Sequence, residues 1–224
     1  MKNSLILVRH GETDYNVTRQ FTGWTDVSIN KKGQKQAKST GEIISKNNLK
    51  FDVVYTSYLI RSQETANILL KTANIIDADV RSDWRINERN FGILEGLTND
   101  EAEIKYGVEN ISNIKLDYHL KAPEYDINTK KDKKYEGITI PSPESNEDCF
   151  LRICEFYNDS IIPLLKQGKK VMLVGHGKTL LLLLLRLYGM DPDKPHNLNK
   201  IDNCVLYGFD FLDGEIKTPH RKIT

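Results

Sequence analysis

The chain has 224 residues, of which 32 are basic and 31 acidic, for a formal net charge of +1. That length allows one sizeable α/β domain with an elaborated insertion and makes two full domains a stretch. The charge balance excludes a strong overall field toward nucleic acid or a charged membrane, so affinity for anions has to be local. The three cysteines, Cys149, Cys154 and Cys204, are odd in number and form no CxxC. They lie among apolar residues, which points to a reduced, intracellular and cytoplasmic protein.

Residues 4–8 are too short for a signal-peptide core and meet the charged Arg9 at once. The run Leu5-Ile6-Leu7-Val8 reads instead as a strand buried on both faces, ending in Arg9-His10-Gly11. In open α/β sheets the carboxyl ends of the strands are where ligands bind. Residues 12–26 are polar and turn-rich, and a loop of that length beside a strand end is more often functional than idle. Residues 30–47 carry Ala37, Gly41 and Ile44 at helical spacing, the mark of a helix covering one face of the sheet. A second strand is expected over 51–55, followed by a helix capped by Thr56-Ser57, with Leu59, Ala66, Leu69 and Leu70 inward. Arg61 falls in its first turn, where the helix dipole disfavours a cation unless an anion is near.

A short edge strand is expected over 79–82, then the charged and aromatic stretch 84–92, then a helix over 100–106. Residues 107–145, with Pro123, Pro141 and Pro143, read as an irregular, lid-like insertion. The basic stretch 130–134 reads as a solvated loop. Residues 147–165 are amphipathic, with Phe150, Ile153, Cys154, Tyr157 and Ile161 on one side, and Pro163 should kink or end the helix. Residues 170–179 repeat the opening design: a buried strand runs into Gly175-His176-Gly177 and then a leucine-rich helix. The apolar run 180–185 is confined by Lys178 and Arg186 far below the roughly 20 residues of a membrane span. A last strand is expected over 203–211, and the tail beyond Gly214 reads as polar and loose.

Three strand-to-helix junctions thus bring Arg9, His10, Arg61 and His176 to one edge of one sheet. Guanidinium forks match phosphate oxygens, and a neutral imidazole is a good nucleophile toward phosphorus. The implied chemistry is phosphoryl transfer through phosphohistidine, with fixed cations stabilising the charge on the equatorial oxygens. Metal ligation by the two histidines lacks a third ligand at a recognisable spacing, and the arginines would repel a cation, so no metal is expected. Glu88 is the candidate proton donor, its pKa raised toward neutrality beside an anionic phosphate. A salt bridge to Arg85 or Arg89 is the alternative use of that carboxylate. His119, His196 and His220 have no such setting and read as surface residues.

The run Arg9-His10-Gly11-Glu12-Thr13 is joined by Asn16, the loop Phe21-Thr22-Gly23-Trp24-Thr25-Asp26 and the Tyr55-Thr56-Ser57-x-Leu59-x-Arg61 segment. With Arg85-x-Asn87-Glu88-Arg89-x-x-Gly92 and His176-Gly177, this set resembles the histidine phosphatase superfamily, and within it the cofactor-dependent phosphoglycerate mutases. The resemblance covers residues 4 to about 211 in order. It implies a three-layer α/β/α sandwich with a mostly parallel central sheet, His10 as the phosphorylated nucleophile, and Arg9, Arg61 and His176 as the rest of the phosphate pocket. It also implies Glu88 as proton donor and acceptor, and Asn16, Thr22, Gly23 and Gly177, together with Arg89, on the substrate side. Mutases of this kind carry a lysine where this chain has Asn99, an arginine pair at Lys115 and Leu116, and an asparagine at Lys178. A mutase must hold a bisphosphorylated intermediate while it reorients, and losing those groups should weaken that grip. The expectation is therefore a phosphatase of small phosphorylated metabolites without cofactor. The second reading is a phosphoglycerate mutase using 2,3-bisphosphoglycerate, with Lys115 and Lys178 supplying the missing charge. A non-catalytic phosphometabolite-binding protein is the third. No nucleic-acid or membrane partner is expected, and assembly into a homo-oligomer stays open.

Overall fold

The computed structural model describes residues 4–124, 133–139, 143–198 and 201–224, so Pro141 and residues 130–132 of the basic stretch lie outside the described residues. Six strands form one sheet: β1 (Leu5–Arg9), β2 (Val53–Thr56), β3 (Asp79–Ser82), β4 (Val171–Gly175), β5 (Leu206–Leu212) and β6 (Glu215–Ile223). Their order is β3-β2-β4-β1-β5-β6, with the first four parallel and β5 and β6 antiparallel.

The strands are apolar without alternation because both faces are covered. Leu5 and Leu7 of β1, with Tyr55 and Leu173, pack under Ile153, Phe156, Leu180 and Leu184. These belong to α6 (Asn146–Phe156) and α8 (Gly177–Leu187). Ile6 and Val8, with Val54 and Met172, face the other way, onto Ile44, Ala66 and Leu69. Those lie on α2 (Lys31–Lys46) and α3 (Ile60–Thr72). Burial of each such side chain stabilises the fold by about 1.5–3 kcal/mol, so the strands that end at the site are the most strongly held part of the molecule. Phe21, Leu94, Ala102, Ile111, Ile114 and Ala122 make a third, smaller core over the carboxyl edge of the sheet.

Several local expectations are corrected. The stretch 107–145 is not wholly irregular: a helix, α5 (Val108–Leu116), follows α4 (Asn99–Tyr106), and Lys133–Tyr135 forms a 3₁₀ turn. A short helix, α1 (Asp14–Val17), interrupts the polar loop 12–26, closed by a Thr13–Asn16 capping box. Thr56 and Ser57 do not cap α3. Asp26 does, its Oδ1 accepting from Ile60 N at 2.7 Å across the fold. Pro163 does not end the helical run, because a π turn at Tyr157–Ile161 places it in the first turn of α7 (Ile162–Lys166), where no N–H is needed. On α6 the buried face carries Cys149, Arg152, Ile153 and Phe156, whereas Phe150 and Cys154 are half-buried. The tail beyond Gly214 is ordered: Asp213 and Gly214, both at positive φ, turn the chain into the hairpin strand β6. His220 on that strand is not a plain surface residue, for it packs against Tyr188, Tyr207 and Phe209. Among the described residues no helix is long and apolar enough to cross a membrane.

Candidate active site

β1 and β4 are paired with Arg9 opposite Gly175, so the residues that follow, His10 and His176, leave the sheet at the same level. Their rings lie 5.1 Å apart between centroids. His10 N donates to Gly175 O at 3.0 Å, and Asn203 Nδ2 donates to His10 O at 2.5 Å. The turn after His10 runs against the backbone of α2. A Cβ on Gly11 would stand 2.7 Å from Gly33 O, so glycine is required there.

His10 Nδ1 donates to Gly11 O at 2.7 Å; since a carbonyl can only accept, the neutral ring carries its lone pair on Nε2. His176 is fully buried, with Nε2 2.7 Å from Ser57 Oγ. Burial, reinforced by Arg61, His10 and Arg9, holds its pKa well below 6.5, so this ring is neutral. Arg61 Nη2 and Nη1 donate to Gly23 O (2.7 Å) and Thr25 O (2.9 Å). Desolvation lowers its pKa to about 10. Arg9 Nη1 donates to Ile201 O at 3.2 Å, and burial lowers its pKa too. Three buried atoms at this edge, Arg9 Nε, Arg61 Nε and His176 Nδ1, have no hydrogen-bond partner among the described residues. Buried polar atoms are rarely left so, and a cluster of them at one strand edge is the environment an oxyanion fits.

Glu88 sits at the amino end of α8. Its carboxylate accepts from Lys178 N (3.1 and 3.2 Å), Thr179 N (3.1 Å) and Thr179 Oγ1 (3.2 Å), and from Arg89 N at 3.0 Å. Burial pushes its pKa up, but these donors and Arg61 outweigh burial and hold it below the usual value. The protein's own groups thus favour the anion, because the helix amino terminus supplies N–H donors, and the expected rise toward neutrality has to come from the charge of a phosphate beside it. Among the described residues neither arginine forms the expected salt bridge with Glu88, Arg89 reaching it only through its backbone N–H. Arg85 pairs with Asp83, Glu155 and Asp159.

A cavity of about 590 Å³ opens over this edge, lined by Arg9, His10, Arg61, Glu88 and Gly177 and also by Phe91, Asn99, Lys115 and Leu116. Asn16, Thr22, Gly23 and Lys178 also line it. Among the described residues, no group of three or more histidine, cysteine, aspartate or glutamate side chains is placed to hold a metal ion.

The family model of the histidine phosphatase superfamily (branch 1) matches residues 5–222. The chain belongs to that superfamily. It is 40% identical over 196 residues to a 2,3-bisphosphoglycerate-dependent phosphoglycerate mutase of Buchnera aphidicola subsp. Cinara cedri, covering 82% of this chain and 83% of that protein. A protein of the same name from Elusimicrobium minutum is 35% identical over 216 residues, covering 93% and 87%. Among solved structures, Bacillus stearothermophilus YhfR aligns with a TM-score of 0.78 at 24% identity, over 96% of this chain and 95% of that one. A mycobacterial glucosyl-3-phosphoglycerate phosphatase aligns with a TM-score of 0.68 at 23% identity, over 92% of each chain. Like the other members of the superfamily, this protein is an enzyme, and its fold is that of its relatives.

Within this histidine phosphatase superfamily member, two of the sequence-predicted residues lie off the cavity lining. His176 stands behind it against His10. Arg89 is turned away: its guanidinium donates to Glu144 O, Ile114 O, Leu120 O and Asn146 Oδ1, which ties α5 to α6. Lys178 Nζ donates to Lys115 O at 3.2 Å, and burial lowers its pKa. Lys115 Nζ lies 3.7 Å from Glu103 and over the Phe21 ring.

Sequence reasoning missed the supports. Glu95 accepts from Trp24 N, Phe91 N and Thr25 Oγ1, fixing the loop whose carbonyls hold Arg61. Trp24 Nε1 donates to Glu88 O at 2.6 Å, so the same loop also fixes Glu88. Arg152 and Glu144 form a buried bidentate pair at 2.6 and 2.7 Å, and Arg152 donates onward to Arg85 O and Asn87 O. A charged residue on the apolar stripe of a helix was the available signal for Arg152; nothing local marks Glu95 or Glu144.

Proposed function

We propose that this enzyme hydrolyses small phosphorylated metabolites through a phosphohistidine at His10. The three partnerless buried atoms on Arg9, Arg61 and His176 are the observation that supports this reading most directly. In the first step His10 Nε2 forms the P–N bond while the ester P–O bond breaks. Fixed guanidinium groups stabilise the charge on the equatorial oxygens. The leaving oxygen takes a proton from Glu88. The surroundings favour the Glu88 carboxylate, and a phosphomonoester entering beside it brings negative charge that works the other way, which is the source of its capacity as a donor. In the second step Glu88 accepts a proton from water, the resulting hydroxide attacks phosphorus, and the P–N bond breaks to restore His10. The reading involves no metal or other cofactor, no nucleic-acid or membrane partner, and a cytoplasmic location in keeping with three free cysteines.

The positions at which mutases carry their additional polar and charged groups support hydrolysis over isomerisation. Lys178 and Lys115 are engaged by a backbone carbonyl and by Glu103, Asn99 is neutral, and Leu116 adds an apolar surface. The mutase reading, in which 2,3-bisphosphoglycerate serves as phosphoryl donor, is favoured by the names of the relatives at 40% and 35% identity. One assay separates them: 3-phosphoglycerate with a trace of 2,3-bisphosphoglycerate. Net release of phosphate supports the phosphatase, and fast formation of 2-phosphoglycerate without it supports the mutase.

A further inference from the structure

Arg19 lies between α1 and Phe21, and it is a non-glycine residue held at φ 56°. Asn48, Asn74, Cys204 and Asp213 share that backbone conformation; the asparagines and the aspartate are of the types that tolerate it, whereas Arg19 and Cys204 are not. The conformation is imposed from both sides. Thr18 N donates to Asp14 O and Gln20 N to Tyr15 O, each at 2.9 Å, Asn99 N donates to Arg19 O at 3.2 Å, and Gln20 is bridged to Thr98. These bonds end α1 with Arg19 in the left-handed position just past the C-cap, which fixes where its side chain leaves the backbone. Arg19 lines the cavity while staying exposed, which puts it on the rim.

Each of the other cavity-lining cations already makes an internal contact: Arg9 and Arg61 with carbonyls through Nη, their Nε atoms staying in the phosphoryl cradle, Lys178 with Lys115 O, and Lys115 beside Glu103. Among the described residues the Arg19 guanidinium has no hydrogen bond or ion pair, and it lines the same cavity as the proposed phosphoryl cradle of Arg9, His10 and Arg61. A fork of five donors with nothing to bind inside the protein matches a carboxylate or a second phosphate on the ligand.

We propose that Arg19 is a specificity-determining residue that receives a distal anionic group, so that the preferred substrates are phosphomonoesters carrying a second negative charge. This rests on the phosphoryl-binding reading of the cradle. A single rim guanidinium discriminates such ligands without enclosing them, which suits release after hydrolysis.

The test uses two ligands of one skeleton: 3-phosphoglycerate, with a distal carboxylate, and glycerol 3-phosphate, with a hydroxymethyl group in its place. Binding is measured by calorimetry in a His10→Ala background, which removes turnover. The ratio of the two Kd values should fall about tenfold on adding Arg19→Gln, the loss of one charge-assisted pair, and should be partly kept by Arg19→Lys. Arg19→Gly is compatible with the left-handed backbone, so it should keep or raise Tm while losing the same discrimination, which excludes misfolding as the cause. An unchanged ratio in both Arg19→Gln and Arg19→Gly, equal weakening of the two ligands, or binding of neither ligand by the parent overturns the assignment. If the wild-type enzyme forms no phosphohistidine while the parent still prefers the carboxylate ligand, the catalytic reading fails and Arg19 stands.

Discussion

Replacing Arg61 with methionine separates the energetic burden of the cradle from its catalytic value. The guanidinium is buried and its pKa has come down from 12.5 to about 10 through desolvation, opposed by Glu88, Asp26 and Glu95. A fall of that size disfavours the charged form by about 3 kcal/mol in the folded protein. Its hydrogen bonds to Gly23 O and Thr25 O contribute about 1.5–3 kcal/mol each in the other direction. Methionine keeps the unbranched shape and removes both effects together, so they largely cancel. Urea unfolding should place Arg61→Met within about 2 kcal/mol of the wild type. The rate should fall by at least about 10³, since a fixed cation on the transferring group is lost. Vanadate adds a third readout: at a concentration about 100 times its Kd it should stabilise the wild type by about 2.7 kcal/mol and the variant by much less. A loss of more than about 4 kcal/mol in stability, or equal vanadate protection of both proteins, would show that Arg61 is a structural residue.

The other expectations concern the two imidazoles and the buried pair behind the site. His10→Ala should abolish phosphohistidine and turnover while leaving Tm nearly unchanged, because a strand-end imidazole adds little to the core; near-normal turnover would displace the nucleophile assignment. His176 has a depressed pKa, so its contribution to stability is full above about pH 6.5, where the unfolded chain loses the same proton. That contribution is lost as pH falls toward the folded-state value, at up to about 1.4 kcal/mol per pH unit. Urea midpoints at neutral and mildly acidic pH should therefore diverge in the wild type and converge in His176→Gln, and equal slopes would refute this. Glu144→Ala leaves Arg152 buried and unpaired, which should reduce stability by about 3–5 kcal/mol. Circular-dichroism melts check it, and a loss below about 1 kcal/mol would mean that Arg152 finds another partner.

The sheet and the catalytic edge were legible because they rest on local patterns. Two unbroken apolar runs each ending in His-Gly are visible in the chain, and parallel pairing of Arg9 with Gly175 then forces the two rings together. What stayed hidden depends on contacts remote in sequence. Asp26 caps α3 from 34 residues away, a partnership with no sequence spacing to announce it. The resemblance put Arg89 on the substrate side, but its guanidinium is taken up by Glu144 O, Ile114 O, Leu120 O and Asn146 Oδ1, partners 25 to 57 residues away. The hairpin β5-β6 is a different case. Asp213-Gly214 is a recognised turn pair flanked by Phe211 and Ile216, and the polar composition of the tail masked it. Helix α5 is short and weakly amphipathic, so its identity comes from Ile111 and Ile114 reaching the third core.

The site gathers charge in a place where burial opposes charge, and the fold makes this tolerable by dividing the work. Burial lowers the pKa of Arg9, Arg61 and Lys178, so each cation is held against its solvation preference. Their mutual repulsion is relieved inside the protein by carbonyl oxygens and by nearby carboxylates, foremost Glu88, which the amino terminus of α8 keeps in its ionised form. The same field acts on His176, where Arg61 and Arg9 add to desolvation in keeping the ring neutral. A neutral His176 beside His10 adds no third buried cation to the cradle, and it leaves the guanidinium groups as the charged partners of an incoming oxyanion. Affinity for phosphate and the protonation state of the second imidazole are thus two consequences of one arrangement, and a substitution that removes either guanidinium should raise the pKa of His176 as it weakens the anion site.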